Sequence, residues 1–252
     1  MKTLRSIVPA LAVTLGFGAP ALAQRPATAP DALVANAVAA VQQQYNESFK
    51  HHPQLYNGPE YVDYSLRYNE RMGHQFFLSP DRQPGSVYYN EHYFTNLRLA
   101  YDVVLDQVVL QQPTNPLTLR LANEQVRYFF INDHRFVRLV ADSSAGGTIA
   151  TGYYEMLVDG PVQVLAKRTK RLHEQLSQRL INAEFVGADR FFMQKGGTYY
   201  AVTSKSGAVR LLADHGKEVQ QFIRDKDLSF GKEQLGSSLA QVAVYYNTLA
   251  PQ

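Results

Sequence analysis

The stretch Tyr93-Phe94-Thr95-Asn96-Leu97-Arg98-Leu99-Ala100-Tyr101-Asp102-Val103-Val104-Leu105 decides the fold. Tyr93, Thr95, Leu97, Leu99, Tyr101, Val103 and Leu105 recur at every second position, with Asn96, Arg98 and Asp102 among the residues between them. A period of two belongs to an extended chain whose side chains alternate between its faces, so the segment reads as one long β-strand. Its end, Val103-Val104-Leu105, is apolar on both faces, and so is Tyr128-Phe129-Phe130-Ile131. Such strands need cover on both sides, from a second sheet or from helices.

Working outward, further strands are expected at Val108 to Gln111, Leu117 to Leu121, Val126 to Ile131, His134 to Ala141, Tyr153 to Val158 and Val162 to Lys170. Arg190 to Lys195, Thr198 to Thr203 and Ala208 to Ala213 continue the series, and His74 to Leu78 suits a short strand. Turn signals separate them: Asn90-Glu91, Asp106-Gln107, Asn132-Asp133, Asp159-Gly160 and Gly196-Gly197. Asp159-Gly160 suits the left-handed conformations of a type I′ hairpin turn. Connections this short favour antiparallel neighbours, because a parallel crossover needs about a dozen residues or more. His173 to Leu180 stays open between a helical turn and a loop. Helical spacing marks Val34, Val38, Val41, Tyr45 and Phe49 after a capping Asp31, then Val219, Phe222 and Ile223, then Leu235, Leu239, Val242, Tyr246 and Leu249. The expected fold is mainly β: an antiparallel meander curved into a sandwich or incomplete barrel, with one N-terminal and two C-terminal helices packed on it.

The first residues read as an export signal. Lys2 and Arg5 give a positive start, Ile7 to Phe17 is mostly apolar, and Ala21-Leu22-Ala23 offers a small-residue cleavage pattern before Gln24. The apolar run is broken by Pro9, Gly16, Gly18 and Pro20, whereas a spanning helix needs about 20 apolar residues. The expected organisation is therefore a signal peptide over residues 1–23, a linker over 24–30 and a single β-rich domain with terminal helices over 31–252. Of the 25 basic residues, 25 − 2 = 23 would remain after cleavage against 22 acidic, a net charge of +1. That balance gives no field for nucleic acid. The absence of cysteine removes disulfides, thiolate metal sites and a lipidated mature N-terminus, so the expected product is periplasmic or extracellular, not lipid-anchored and without a transmembrane segment.

Catalytic motifs are incomplete. His173-Glu174 begins a zinc-protease pattern, but Ser177 stands where its second histidine belongs. Ser229-Phe230-Gly231-Lys232 and Lys205-Ser206-Gly207 are similar to two penicillin-recognising motifs in reversed order, with the third missing. Asp225, Asp227 and Ser229 begin a calcium loop that Phe230 and Gly236 break. No phosphate-cradling loop, dinucleotide fingerprint or nucleophile elbow occurs, so no metal and no cofactor is expected. The candidate ligand-binding residues are Arg98, Asp102, Glu155 and Lys167, polar positions on strands among aromatic neighbours, the mixture that pockets use. A strand residue facing water is the plainer account of each. Such a site would place the ligand on the sheet rather than on the helices.

Gly73-His74-Gln75-Phe76-Phe77, Gly85-Ser86-Val87-Tyr88-Tyr89, Leu97-Arg98-Leu99-Ala100-Tyr101-Asp102, Gly152-Tyr153-Tyr154-Glu155 and Tyr245-Tyr246-Asn247 together resemble a group of exported, uncharacterised β-rich proteins of Bacteroidota, over most of residues 55 to 249. The resemblance implies export and one β-rich architecture, and it carries over no functional residue. The expected function is a non-catalytic binding or envelope-associated module whose ligand is unknown, a glycan or a lipid headgroup being the candidates. The alternative is a carboxylate-dependent hydrolase of cell-wall or glycan material, built on Glu155 or Asp102 facing a second carboxylate.

Overall fold

A computed structural model describes residues 55 to 249, apart from 114, 142–146 and 178–179. The expected leader, linker and N-terminal helix lie outside the described residues. The strands are β1 (Glu70–Met72), β2 (Gln83–Tyr89), β3 (His92–Asp102), β4 (Gln107–Gln111), β5 (Thr118–Arg120), β6 (Val126–Ile131), β7 (His134–Leu139), β8 (Gly152–Val158), β9 (Val162–Lys167), β10 (Lys170–Ser177), β11 (Leu180–Gly187), β12 (Arg190–Lys195) and β13 (Thr198–Ala201). Three helices follow: α1 (Lys205–Leu211), α2 (Gly216–Asp225) and α3 (Leu235–Leu249). The fold is mainly β, as the alternation implies.

Ten strands form one antiparallel sheet in the order β13-β12-β9-β8-β7-β6-β2-β3-β4-β5. Its hairpins turn where left-handed residues stand. Asn90 and Glu91 (φ 47° and 64°) close β2 onto β3, and Gly196 and Gly197 (φ 56° and 80°) close β12 onto β13, both as two-residue loops of the I′ kind.

The sheet curls without closing. Tyr101 on β3 and Tyr153 on β8 are four strand intervals apart, about 19 Å in a flat sheet. Their ring centroids lie only 5.8 Å apart, edge to face. Strands β8, β7, β6, β2, β3 and β4 must therefore wrap around their inner face, which holds Val87, Leu99, Tyr101, Leu110, Phe129, Phe136 and Tyr153. Phe129 and Phe136 stack at 4.8 Å, and the Tyr101 ring meets both. Beyond β8 the same face continues onto β9 and β12, where the helices cover it: Val164, Ala166 and Met193 pack with Val219, Ile223, Leu239 and Val242. Curling covers one half of the inner face and helices cover the other; on the outer side, Tyr61 and Phe76 cover Ala100 and Val109, Tyr68, Ala183 and Phe185 pack with Val104, and Tyr128 and Phe130 stay half-buried.

Several local expectations are corrected. The long alternation breaks at Asn96, whose φ of 55° marks a bulge: Thr95 and Asn96 on β3 stand against Ser86 alone on β2. An extra residue reverses the phase, so Leu97, Leu99 and Tyr101 point inward while Tyr93 points outward and is 51% exposed. Leu105 lies past the strand end and is 55% exposed. The expected strand at Ala208 to Ala213 is helix α1 instead, because the Ser204 hydroxyl accepts from the Gly207 N–H and caps it. Val162 to Lys170 is two strands, β9 and β10, with a corner at Arg168 and Thr169 where the chain leaves the large sheet.

Of the stretch left open between helix and loop, His173 to Ser177 lies in β10 and Leu180 begins β11, antiparallel strands of a second sheet ordered β1-β11-β10. There β1 runs parallel to β11; some 110 residues separate the paired positions, so the short-connection argument does not reach them. Neither Asp159 nor Gly160 is left-handed. The glycine serves a close approach: a Cβ there would lie 2.6 Å from Asn247 Nδ2. Asn247 accepts from the Val162 N–H and donates to the Val162 carbonyl, 2.9 Å each, tying the end of α3 to the β8–β9 turn.

Candidate functional site

Three of the four candidate residues are buried rather than facing water: Asp102 at 0%, Glu155 at 3% and Lys167 at 7% relative exposure. They do not meet in one site. A charge removed from water must find partners, and each of the three has its own set.

Asp102 ends β3 and knots the start of the β3–β4 turn. Its Oδ1 accepts from the Val104 and Leu105 N–H groups at 2.9 and 3.0 Å, and its Oδ2 accepts from the Tyr61 hydroxyl at 2.8 Å. Burial pushes its carboxyl up, against the hydrogen bonds that favour the charged form. Glu155, on β8, receives His134 Nδ1 on one oxygen and Arg168 Nε on the other, each at 2.5 Å, and Arg168 Nη1 continues to Asp189 at 2.6 Å. Lys167, on β9, donates to Asp106 at 2.7 Å and to the Tyr153 carbonyl at 3.1 Å. Burial lowers its pKa while Asp106 opposes the shift. The Tyr101 hydroxyl also donates to Asp106, so this group clasps β9 to the β3–β4 turn across the mouth of the curl. All three are fastenings of the fold. Neither carboxylate is held free toward a cleft.

Arg98 differs. It is exposed on β3, opposite Pro84, on the outer face of the curl. The same face carries a group of aromatic rings. Tyr93, Tyr88 and Tyr128 are cross-strand partners in a row over β3, β2 and β6. Tyr88 and Tyr128 stack at 5.3 Å and 23°, Tyr93 lies 6.1 Å from Tyr128, and Phe130 meets Tyr128 edge-on at 6.1 Å.

Local backbone irregularity builds this surface. The Asn96 bulge turns Tyr93 outward, and a second shift opposes Tyr88 to Tyr128 but Tyr89 to Val126. The residue left over is Arg127, which extends its guanidinium over the Tyr88 ring at 5.3 Å. Arg135 covers Tyr128 from β7 at 5.9 Å. Hydrogen bonds fix the rims: Ser86 Oγ lies 2.8 Å from the Tyr93 hydroxyl, and the Tyr88 hydroxyl donates to Glu91 at 3.2 Å.

Such a row is suited to holding a flat, partly apolar ligand. An aromatic face carries negative charge in its quadrupole and attracts polarised C–H groups, while the hydroxyls and guanidiniums at the rim supply directional bonds. The available signal was the alternation Ser86, Tyr88 against Val87, Tyr89 on β2, which put Tyr88 on the face opposite the core. The helices also leave a groove of ≈ 430 Å³ among Leu157, Phe222, Val244 and Tyr245, so their apolar stripes are not wholly spent on docking.

Among the described residues, no three His, Asp or Glu side chains gather as a metal site would require, and no helix is long and apolar enough to cross a membrane. Comparison with known proteins finds no matching family model, no similar curated protein and no similar solved structure.

Proposed function

We propose that this chain is an exported, non-catalytic binding module that holds a glycan on the outer face of its curled sheet. The observation that carries the reading is the row Tyr128–Tyr88–Tyr93, in which alternation puts Tyr88 and Tyr128 on the outer face and the Asn96 bulge brings Tyr93 beside them. Tyr93 is exposed and Tyr88 and Tyr128 are half-buried, flanked by the guanidiniums of Arg127 and Arg135, and aromatic surface of this kind on a solvent face is kept where something binds. Sugar rings fit it because their axial C–H faces stack on aromatic faces while their hydroxyls reach the rim groups. Arg98, Arg127 and Arg135 on the same side favour a glycan bearing acidic groups.

Export is supported by the leader pattern of residues 1–23, and kinship with exported β-rich proteins of Bacteroidota belongs to the same proposal, resting on the sequence motifs. The hydrolase alternative gains nothing from the geometry, since Glu155 is bound to an arginine and a histidine and Asp102 to backbone and tyrosine donors. Affinity electrophoresis against neutral and acidic polysaccharides tests the reading. Wild-type protein is expected to be retarded by at least one acidic glycan, and the triple variant Tyr88→Ala, Tyr93→Ala, Tyr128→Ala to migrate freely. Equal retardation of both proteins, or none of the wild type, refutes it.

A further inference from the structure

A second surface, independent of the aromatic row, lies where the chain enters the sheet. Residues between Asp63 and Pro80 form a cavity of ≈ 380 Å³ whose walls include Asp63, Ser65, Arg71, His74, Gln75 and Phe76. Its volume lies within the range of small-ligand pockets.

The walls are fixed by hydrogen bonds. Asp63 Oδ1 accepts from the Ser65 N–H at 2.9 Å and from Gln75 Nε2 at 2.8 Å, and Gln75 is itself buried. Arg71 Nη1 donates to Ser65 Oγ at 3.2 Å. Lys170 donates to the carbonyls of His74 and Phe76, 2.7 Å each, and pins the opposite wall. Pre-set geometry of this kind lowers the ordering cost of binding.

Three groups in this frame remain unspent. His74 Nδ1 is buried and has no hydrogen-bond partner. Burial, then the charge of Lys170, lowers the His74 pKa and favours the neutral ring. Arg71 has no carboxylate partner among the described residues, and Asp63 Oδ2 accepts no hydrogen bond from them. A buried polar atom without a partner carries a penalty that a ligand or water would relieve.

We propose that this cavity is a binding site for a small organic carboxylate carrying a hydroxyl or ammonium group beside the carboxylate. The guanidinium of Arg71 provides the planar fork that matches a carboxylate, with the Ser65 hydroxyl beside it. Asp63 Oδ2 accepts from the neighbouring hydroxyl or ammonium, and its negative charge disfavours a doubly charged phosphate in the same space. Two sources share this chemistry, a uronic acid through its C4 hydroxyl and a free amino acid through its ammonium.

Titration calorimetry on the full chain separates them, using D-galacturonate, D-alanine, D-galactose and inorganic phosphate as probes. At least one of the first two is expected to bind saturably, with galactose and phosphate weaker by about tenfold or more. Arg71 is exposed, so Arg71→Ala should fold normally and lose about tenfold in affinity, with Arg71→Lys intermediate. The triple tyrosine variant should bind the probe as wild type does, which keeps this site separate from the glycan face. Equal binding of galactose, tighter binding of phosphate, indifference to Arg71→Ala, loss in the tyrosine variant, or no saturable binding of either carboxylate at about 10 mM overturns the inference.

Discussion

Replacing Arg168 by Met tests whether the buried Glu155 is a fastening of the fold. Arg168 sits at the corner between β9 and β10 and holds two carboxylates, Glu155 at 2.5 Å and Asp189 at 2.6 Å. Its side chain is 23% exposed, whereas that of Glu155 is 4% exposed. Burial opposes the charge on Arg168, but Glu155 and Asp189 together raise its pKa. Met keeps most of the volume and removes the charge, leaving Glu155 with His134 as its remaining side-chain partner. Breaking a buried pair from one side costs about 3–5 kcal/mol because an uncompensated charge remains; the partial exposure of Arg168 puts this case near 3 kcal/mol. For a domain of this size about 3 kcal/mol corresponds to a fall in Tm of roughly 6–12 °C. Urea unfolding should show a lower midpoint with an unchanged slope. The double variant Arg168→Met, Glu155→Met, in which both charges are gone, should recover most of the loss. A single variant within about 1 kcal/mol of wild type, or a double variant no better than the single, would refute the reasoning.

The remaining predictions concern the other fastenings. Gly152 has φ 150°, and a Cβ there would lie 2.2 Å from Asp106 Oδ2 and 2.6 Å from Lys167 Nζ, so Gly152→Ala should part the clasp and cost about 2 kcal/mol or more by urea unfolding. An unchanged midpoint would show that the clasp yields without loss. Asp214 is held at about 2 by hydrogen bonds from Lys195 and Tyr246, below its ordinary value of 3.8. Its contribution is therefore present above pH 3.8 and lost as the pH falls through about 2, and Asp214→Asn should flatten the acid limb of stability in that window. Equal acid limbs in parent and variant would place the titration elsewhere.

How far the fold was legible follows from what each signal measures. Hairpins were legible where a turn needs positive φ and the sequence offers residues that tolerate it, as at Gly196-Gly197 and Asn132-Asp133, and the strands beside them fall where alternation puts them. Asp159-Gly160 carried the same signal for another reason: the missing Cβ makes room for Asn247, a contact 87 residues away that no local window contains. Ala208 to Ala213 has the apolar residues of a strand, yet a serine cap and the burial of Ala208 and Leu212 against α2 and α3 make helix there and outweigh about 1 kcal/mol of propensity against Gly207. The second sheet is harder to read because only a short patch of it is covered: Ala183 and Phe185 are buried with Leu172 beside them, while Glu174, Gln175, Leu176, Leu180 and Ile181 are exposed, so no long buried side imposes a period.

The candidate site was harder to read because a β-bulge leaves no trace in composition and changes the meaning of every later position. Reading Tyr93 and Leu97 as neighbours on one face is correct for an unbroken strand; one left-handed residue at Asn96 puts them on opposite faces. That event moves Tyr93 from the core to the outer face, beside Tyr88, Tyr128 and Arg98. Asp102 follows a different cause: it lies past the bulge on the same side of β3 as Arg98, and it is a buried knot because Tyr61, Tyr64 and Phe76 cover that end of the strand. Cover of that kind comes from residues some 40 positions away, which no local window contains. Burial of Asp102, Glu155 and Lys167 marks where the curled sheet is held, and the row of Tyr93, Tyr88 and Tyr128 on its outer face is where the proposed glycan would meet it.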